Sequence, residues 1–294
     1  MQRYFLLLIL AICFQQATAH PDTVTVADIS AKPDIVSGYI HGAEVTVTFK
    51  KRFPLRKNET TFQSYHFLLQ VLDENGKPVS SANTSSRYDQ DGLVISENST
   101  TDSDILQSGT GRFFIPYYIL KLSEGNHKLK VKLQVMRMDS AKGKYDAAKV
   151  FVNGPVEQTF AINKPKTHTV KLCCTGVRVK PLNSKGNSWD FGGSGLPDLV
   201  YRVILESSNV YDRLYSSPEM QNATSAAWLD YTDPIIISEG DRISIGVYDN
   251  DTMYDDLIGI ENFSLTELLE AASTSKELHF GYVDYFTLKA AEIR

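Results

Sequence analysis

Alternation of apolar and polar residues predicts a chain built from short β-strands. The clearest case is the segment 128–135, in which Leu129, Val131, Leu133 and Val135 alternate with lysines and a glutamine. A period of two residues is typical of a strand with one buried face. Similar patterns predict strands at residues 44–49, 65–72, 92–96, 112–115, 169–179, 199–205, 228–237, 242–248 and 282–289.

One short helix is predicted near the end of the chain. Ser264 and Glu267 have the spacing of a capping box, and an apolar run begins at Leu268. The first half of the chain shows no competing helical periodicity, so the sequence predicts an all-β fold.

The strands are expected to form two β-sandwich domains. Residues 162–167 lack apolar periodicity and contain Pro165, as linkers between domains often do. This linker separates an N-terminal β-sandwich of unknown role, residues 20–163, from a second sandwich at residues 166–294.

Residues 1–19 have the features of a secretory signal peptide. Arg3 supplies the positive start, residues 4–14 the apolar run, and Ala17-Thr-Ala19 the small-residue cleavage signal. No later stretch reaches the roughly 18 apolar residues that a membrane-spanning helix needs. We therefore expect a secreted, periplasmic or cell-surface protein.

Charge is distributed unevenly along the chain. Residues 1–165 hold 19 Lys and Arg against 16 Asp and Glu, whereas residues 166–294 hold 11 against 19. An acidic chain without a basic domain is a poor partner for a polyanion, so we expect no binding to nucleic acid.

Four aspartates follow the strand predicted at residues 242–248. Asp249, Asp251, Asp255 and Asp256 fall within eight positions, and carboxylates this close repel one another unless solvent screens them or a cation neutralises them. No His or Cys sits beside them to offer a softer ligand. The cluster therefore indicates a hard, oxygen-seeking cation such as Ca²⁺.

A second pair of carboxylates lies in the glycine-rich loop before the strand predicted at residues 199–205. Asp190 and Asp198 occupy this loop, and the glycines between them allow the backbone to bend around an ion. If both acidic loops emerge at one end of the sandwich, their oxygens contribute to the about six to eight ligands that Ca²⁺ prefers. The two loops together predict one shared Ca²⁺ site.

A wider pattern surrounds these aspartates. It consists of Asp190-Phe-Gly-Gly-Ser-Gly-Leu-Pro-Asp198 with Leu-Val-Tyr-Arg-Val203 after it, Trp228, and Val247-Tyr-Asp-Asn-Asp251 with Asp256-Leu-Ile-Gly259 after it. The pattern resembles that of C2 domains, the calcium- and lipid-binding modules of synaptotagmins and protein kinase C. The resemblance covers about residues 166–294 and implies an eight-stranded antiparallel C2-like sandwich.

The resemblance also implies a set of metal ligands. Two aspartates of the first loop and three of the third bind Ca²⁺ in C2 domains, which assigns that role to Asp190, Asp198, Asp249, Asp251 and one of Asp255 and Asp256. This sequence departs from the family pattern, because its first-loop aspartates are further apart than usual and its last acidic pair comes early. The choice between Asp255 and Asp256 stays open at the level of sequence.

Membrane docking is the use that the resemblance implies for this site. Bound Ca²⁺ cancels the negative potential of the loops and bridges to lipid phosphate, while exposed apolar loop tips enter the interface of an anionic phospholipid membrane. Candidate tips are Phe191, Leu196, Met253 and Tyr254. Packing of these side chains against the neighbouring loop is the alternative reading.

A second hypothesis places function in the N-terminal half. In it, Ca²⁺ only stiffens the loops of an extracellular or cell-surface interaction protein, and the N-terminal sandwich binds a protein or a glycan. The basic segment 50–57 is one candidate contact for an anionic partner.

We expect no enzymatic activity. The sequence contains no Gly-X-Ser-X-Gly, His-Glu-X-X-His or phosphate-binding Gly-Lys-Ser/Thr pattern. An EF-hand is excluded, because its fifth position is occupied by Met253 and no glycine follows. A glycosidase that uses two of the aspartates is the remaining enzymatic alternative.

Overall fold

The computed structural model describes residues 23–53, 62–81, 92–98, 103–141, 144–189, 195–206, 211–251 and 255–293. Antiparallel sheets make up nearly all of the regular structure, which confirms the prediction of an all-β, sandwich-type fold. The predicted signal peptide lies outside the described residues, as do Asp190, Phe191, Met253 and Tyr254.

Residues 23–164 form two facing sheets, which we call the N-terminal sandwich. One sheet has the order β5-β2-β1-β8, and the other has the order β4-β3-β6-β7 with β9 also paired to β6. The strands are β1 Thr23–Ser37, β2 Ile40–Phe53, β3 Phe62–Leu72, β4 Leu93–Asn98, β5 Ser103–Pro116, β6 Gly125–Ala141, β7 Lys144–Lys149, β8 Phe151–Asn153 and β9 Glu157–Lys164, with a 3₁₀ turn at Tyr117–Ile119.

The core of the N-terminal sandwich lies between its two sheets. The four apolar residues that alternate along β6, Leu129 to Val135, are each no more than 3% exposed. Phe49 of β2 stacks on Phe67 of β3 with 4.5 Å between the ring centres, which joins one sheet to the other. Alternation in sequence therefore identified the buried face of this sheet correctly.

Residues 167–293 form the C-terminal sandwich. One sheet has the order β13-β10-β18-β17 with β14 also paired to β10, and the other has the order β12-β11-β15-β16. The elements are β10 Thr167–Val179, β11 Leu199–Glu206, β12 Tyr211–Ser216, β13 Ser225–Ala226, β14 Ile235–Ser238, β15 Arg242–Asp249, β16 Asp256–Ser264, α1 Leu265–Thr274, β17 Leu278–Phe280 and β18 Val283–Ile293. Two short strands share one edge of β10, so the described part contains nine strands where eight were expected.

The strand predicted at residues 228–237 is wrong for most of its length. The structure forms β14 only from Ile235, and Trp228 lies in the irregular segment before it. That segment still follows β10, because Trp228 N–H donates to the Cys174 carbonyl at 3.0 Å and Thr232 N–H to the Leu172 carbonyl at 2.7 Å. The intervening residues bulge away from β10, and Leu229 is 91% exposed.

The helix α1 begins as the sequence predicts. Ser264 Oγ accepts a hydrogen bond from Glu267 N–H at 3.2 Å, and the Glu267 carboxylate accepts one from Ser264 N–H at 2.7 Å. This reciprocal pair satisfies two backbone donors at the helix start. Leu268 and Ala271 face inward and are buried. Within the described residues, no helix is both long and apolar enough to cross a membrane.

The connection between the two sandwiches is shorter than predicted. Strand β9 ends at Lys164 and β10 begins at Thr167, so Pro165 and Lys166 alone separate them. The sandwiches also touch through the β1–β2 turn, where the Tyr39 carbonyl accepts a hydrogen bond from Arg242 N–H at 3.0 Å.

Strand β15 runs away from this contact towards the acidic loops. It begins at Arg242, beside the N-terminal sandwich, and ends at Asp249. Its eight residues span about 26 Å at roughly 3.3 Å per residue. The acidic loops therefore lie at the end of the C-terminal sandwich that is remote from the contact.

Candidate functional site

The structure brings one residue of each acidic loop into direct contact. Leu199 pairs with Asp249 where β11 and β15 run side by side. Asp198 N–H donates to Asp249 Oδ1 at 2.7 Å, and Asn250 N–H donates to the Asp198 carbonyl at 2.9 Å. The two loops, far apart in sequence, therefore meet at Asp198 and Asp249, while Asp190 lies outside the described residues.

Burial makes Asp249 the anchor of this end of the sandwich. Its relative exposure is 0%, although a buried carboxylate is costly unless hydrogen bonds compensate for lost water. The N–H of Asp198 provides one such bond. Strand pairing on both sides of β15 fixes the position of Asp249, because Leu199 lies opposite it on β11 and Asp256 lies opposite it on β16.

Asp198 also forms a hydrogen bond with a third segment, the turn between β12 and β13. Its Oδ1 accepts a hydrogen bond from Asn222 N–H at 2.7 Å. Nearby, Ala223 N–H donates to the Pro197 carbonyl at 2.8 Å. The turn between β12 and β13 is thereby held against the first acidic loop.

Asp256 faces Asp249 across the β15–β16 pair. Residues directly opposite each other in an antiparallel pair project from the same face of the sheet, and two like charges there destabilise the pair. Asp256 is exposed, whereas Asp249 is buried. A cation beside both carboxylates would remove this repulsion.

Asp255 has a different partner, the guanidinium group of Arg202. Arg202 Nη2 lies 2.5 Å from Asp255 Oδ2, and Arg202 is only 8% exposed. The guanidinium carbon lies 4.5 Å from the centre of the Tyr248 ring, a cation–π arrangement that fixes its position further. The charge of Asp255 is therefore already neutralised by a side chain of the same sandwich.

Arg202 was not among the site residues predicted from the sequence. Its signal was present, because an arginine within the otherwise apolar strand 199–205 requires an acidic partner if it is buried. Glu219 was missed as well. The Asn250 side chain links both residues, since its Oδ1 lies 3.3 Å from Arg202 Nη2 and its Nδ2 donates to Glu219 Oε2 at 2.6 Å.

The donor chemistry at this end fits a hard cation. Its side chains offer carboxylate and amide oxygens, the ligand type that Ca²⁺ prefers. As the side chains stand in the described ranges, no three or more His, Cys, Asp or Glu residues lie close enough together to hold a metal ion. Asp190 and residues 252–254 are not among those ranges.

Exposed apolar side chains lie near the acidic residues in sequence or in strand pairing. Leu196, one of the predicted tips, is 42% exposed. Met220, whose backbone pairs with that of Leu199, is 37% exposed, and Leu257, which follows Asp256, is 49% exposed. Met220 and Leu257 were not predicted as tips, because the predicted tips were taken only from the segments between the aspartates of each acidic loop.

Comparisons with known proteins add little to these observations. No protein-family model and no curated protein matches the chain. A solved structure named "BON1-C2B" aligns with 44% of this chain and 94% of its own at 13% identity, with a TM-score of 0.32. A likeness at this level carries no argument about function.

Proposed function

We propose that the C-terminal sandwich is a C2-like module that binds Ca²⁺ and docks through that ion on anionic phospholipid. The site is the end of the sandwich that carries Asp198, Asp249 and Asp256, which we call the acidic end. The observation that carries the proposal is the 2.7 Å hydrogen bond from Asp198 N–H to Asp249 Oδ1, which joins the two acidic loops. The resemblance of the loop sequences to those of C2 domains supports the same function.

The proposed ligands are Asp190, Asp198, Asp249, Asp251 and Asp256. Asp256 is preferred to Asp255, because Asp256 lies opposite Asp249 whereas Asp255 is paired with Arg202. When bound, Ca²⁺ would balance the charge of these carboxylates and offer open coordination positions to phosphate oxygens.

The apolar side chains around the acidic end support a membrane surface as the partner. Leu196, Met220 and Leu257 are exposed beside the carboxylates, and each can enter the interfacial region once the charge is neutralised. We include Phe191, Met253 and Tyr254 in the proposed contact on the basis of their sequence positions. The distance of this end from the N-terminal sandwich leaves it accessible to a flat surface.

Secretion would set the working range of such a site. Extracellular calcium modules bind Ca²⁺ with dissociation constants of about 10⁻⁴ to 10⁻³ M. A site of that strength would be filled in a calcium-rich extracellular compartment and would respond to dilution rather than to brief pulses.

A second candidate function follows from the burial of Asp249. Asp249 is fully buried and accepts a hydrogen bond from the Asp198 backbone. An ion bound beside it would hold the two loops together and stiffen them without any contact with a membrane. In this case the chain is an extracellular interaction protein with structural Ca²⁺, and the N-terminal sandwich binds a protein or a glycan.

Vesicle sedimentation distinguishes the two functions. The full-length chain is mixed with phosphatidylserine-containing vesicles in Ca²⁺ or in a chelator, and with phosphatidylcholine vesicles as a control. Docking predicts pelleting that requires both Ca²⁺ and phosphatidylserine, and that is lost in the double variant Asp251→Asn, Asp256→Asn. The matched double variant Asp230→Asn, Asp233→Asn changes the same charge at exposed residues elsewhere in the sandwich and should pellet normally.

Other outcomes are equally informative. Thermal stabilisation by Ca²⁺ without pelleting supports the second function and contradicts membrane docking. If Ca²⁺ causes neither thermal stabilisation nor pelleting, the result contradicts both functions.

A further inference from the structure

One buried carboxylate of the C-terminal sandwich lies at the contact with the N-terminal sandwich. Asp241, just before β15, is 1% exposed. Its Oδ1 lies 2.8 Å from His41 Nδ1 and accepts a hydrogen bond from His41 N–H at 2.7 Å. Its Oδ2 accepts a hydrogen bond from Ser238 N–H at 3.2 Å. Two of these three contacts come from β2, which is 200 positions away in sequence.

The surrounding turn is shaped to the His41 side chain. Gly240 has a φ of +91°, and a Cβ atom there would lie 2.8 Å from His41 Cε1. The backbone conformation therefore favours a glycine, and any larger residue here would have to displace the imidazole. Arg242 N–H donates to the Tyr39 carbonyl at 3.0 Å, so backbone and side-chain bonds together join the sandwiches at this point.

We propose that Asp241 and His41 form a proton-coupled clasp between the two sandwiches, and that the clasp closes more tightly as the pH falls. In the closed state the Asp241 carboxylate is buried, and His41 of the N-terminal sandwich makes two of its three contacts. In an open state it would be solvated. Burial disfavours the charged form of a carboxyl group, so closing is linked to proton uptake.

The direction of the linkage follows from Asp241 in the closed structure. Burial, the largest cause, raises the pKa of Asp241 above the ordinary value of 3.8, and the bonds and charge of His41 and the Ser238 N–H oppose this rise. Because the closed state has the higher pKa, protonation favours closure. This contribution is complete below pH 3.8 and is lost as the pH rises through the raised pKa of Asp241.

The other ionisable groups near the contact have separate partners or face solvent. The Arg242 guanidinium donates to the Asn262 carbonyl at 2.6 Å and to Glu267 at 3.0 Å. Tyr39 is 45% exposed, and Glu239 and Lys166 are exposed. Lys164 is 1% exposed and donates from Nζ to the Pro165 carbonyl at 3.4 Å.

Amide hydrogen exchange at the contact tests the clasp in the full-length chain. The N–H groups of His41 and Arg242 bond across the contact, so their exchange reports on its opening. After correction for the intrinsic pH dependence of exchange, opening should increase as the pH rises from 3.8 through the raised pKa of Asp241, by up to about tenfold for each unit by which that pKa is raised. The Leu133 N–H, bonded to Val156 within the N-terminal sandwich, serves as the control and should not change.

Two substitutions identify the group that takes up the proton. Asp241→Asn has nearly the same shape and cannot titrate, so opening should become independent of pH. His41→Gln leaves the carboxylate in place, so the pH dependence should persist. A pH-independent wild type, a pH-dependent Asp241→Asn variant, or a loss of the effect in His41→Gln would each overturn the proposal.

Discussion

At the scale of single residues, the aspartates at the acidic end differ in whether a positively charged side chain is paired with them. Four aspartates lie close together between the end of β15 and the start of β16, and their spacing alone does not separate them. The structure separates two of them, because Asp255 pairs with Arg202 and Asp256 faces Asp249. This distinction depends on which strands are neighbours, and a sequence pattern read one strand at a time does not contain it.

Removal of the Arg202 charge should destabilise the chain. In Arg202→Gln, Asp255 and Asn250 lose a charged donor that is 8% exposed, and we expect a loss of about 1–3 kcal/mol in the free energy of unfolding. Chemical denaturation in the absence of Ca²⁺ measures it. The control is Arg178→Gln, whose side chain is 58% exposed and lies 3.8 Å from Asp284, and its cost should stay below about 1 kcal/mol. Equal costs for the two variants would contradict the role given to Arg202.

At the scale of elements, the sequence predicted those strands whose apolar and polar residues alternate without interruption. Strands β2, β6 and β15 belong to this class, whereas β3 and β11 were predicted from apolar runs that alternate only in part. Strand β1 was missed, because two shifts in its pairing with β2, at Val26/Asp28 and at Lys32/Ile35, interrupt the period of two. The first half of β5 was missed because it is mostly polar and contains glycine, which is unusual in strands. The glycine at position 109 has a packing reason, because a Cβ there would lie 2.9 Å from the Phe49 ring.

The capping box of α1 gives a prediction at the same scale. Ser264→Ala removes the hydroxyl that accepts the Glu267 N–H, and typical N-cap losses are about 1 kcal/mol. The backbone N–H of Ser264 is the largest cause of the lowered pKa of Glu267, so that effect should largely survive the substitution. Urea denaturation of Ser264→Ala and of Ser273→Ala, an exposed serine later in the helix, provides the comparison. Similar stabilities of the two variants would show that the cap contributes nothing to folding.

At the scale of the whole molecule, the contact between the sandwiches and the acidic loops lie at opposite ends of β15. The contact between the sandwiches could not be predicted from the sequence, because His41 and Asp241 are single residues 200 positions apart that belong to no recognisable motif. The meeting of the two acidic loops was partly predictable, since the strand predicted at 199–205 follows one acidic loop and the strand predicted at 242–248 precedes the other. Their side-by-side pairing then places Asp198 beside Asp249.

The most direct test of the account is a calorimetric Ca²⁺ titration of the full-length chain and of its Asp251→Asn, Asp256→Asn variant. A calcium site at the acidic end predicts saturable binding by the wild type and an affinity at least about tenfold weaker in the variant, because the affinity of a calcium site depends on its number of charged ligands. The Asp230→Asn, Asp233→Asn variant should bind as the wild type does. Absence of binding by the wild type, or equal affinities in wild type and in the Asp251→Asn, Asp256→Asn variant, would contradict a calcium site at the acidic end.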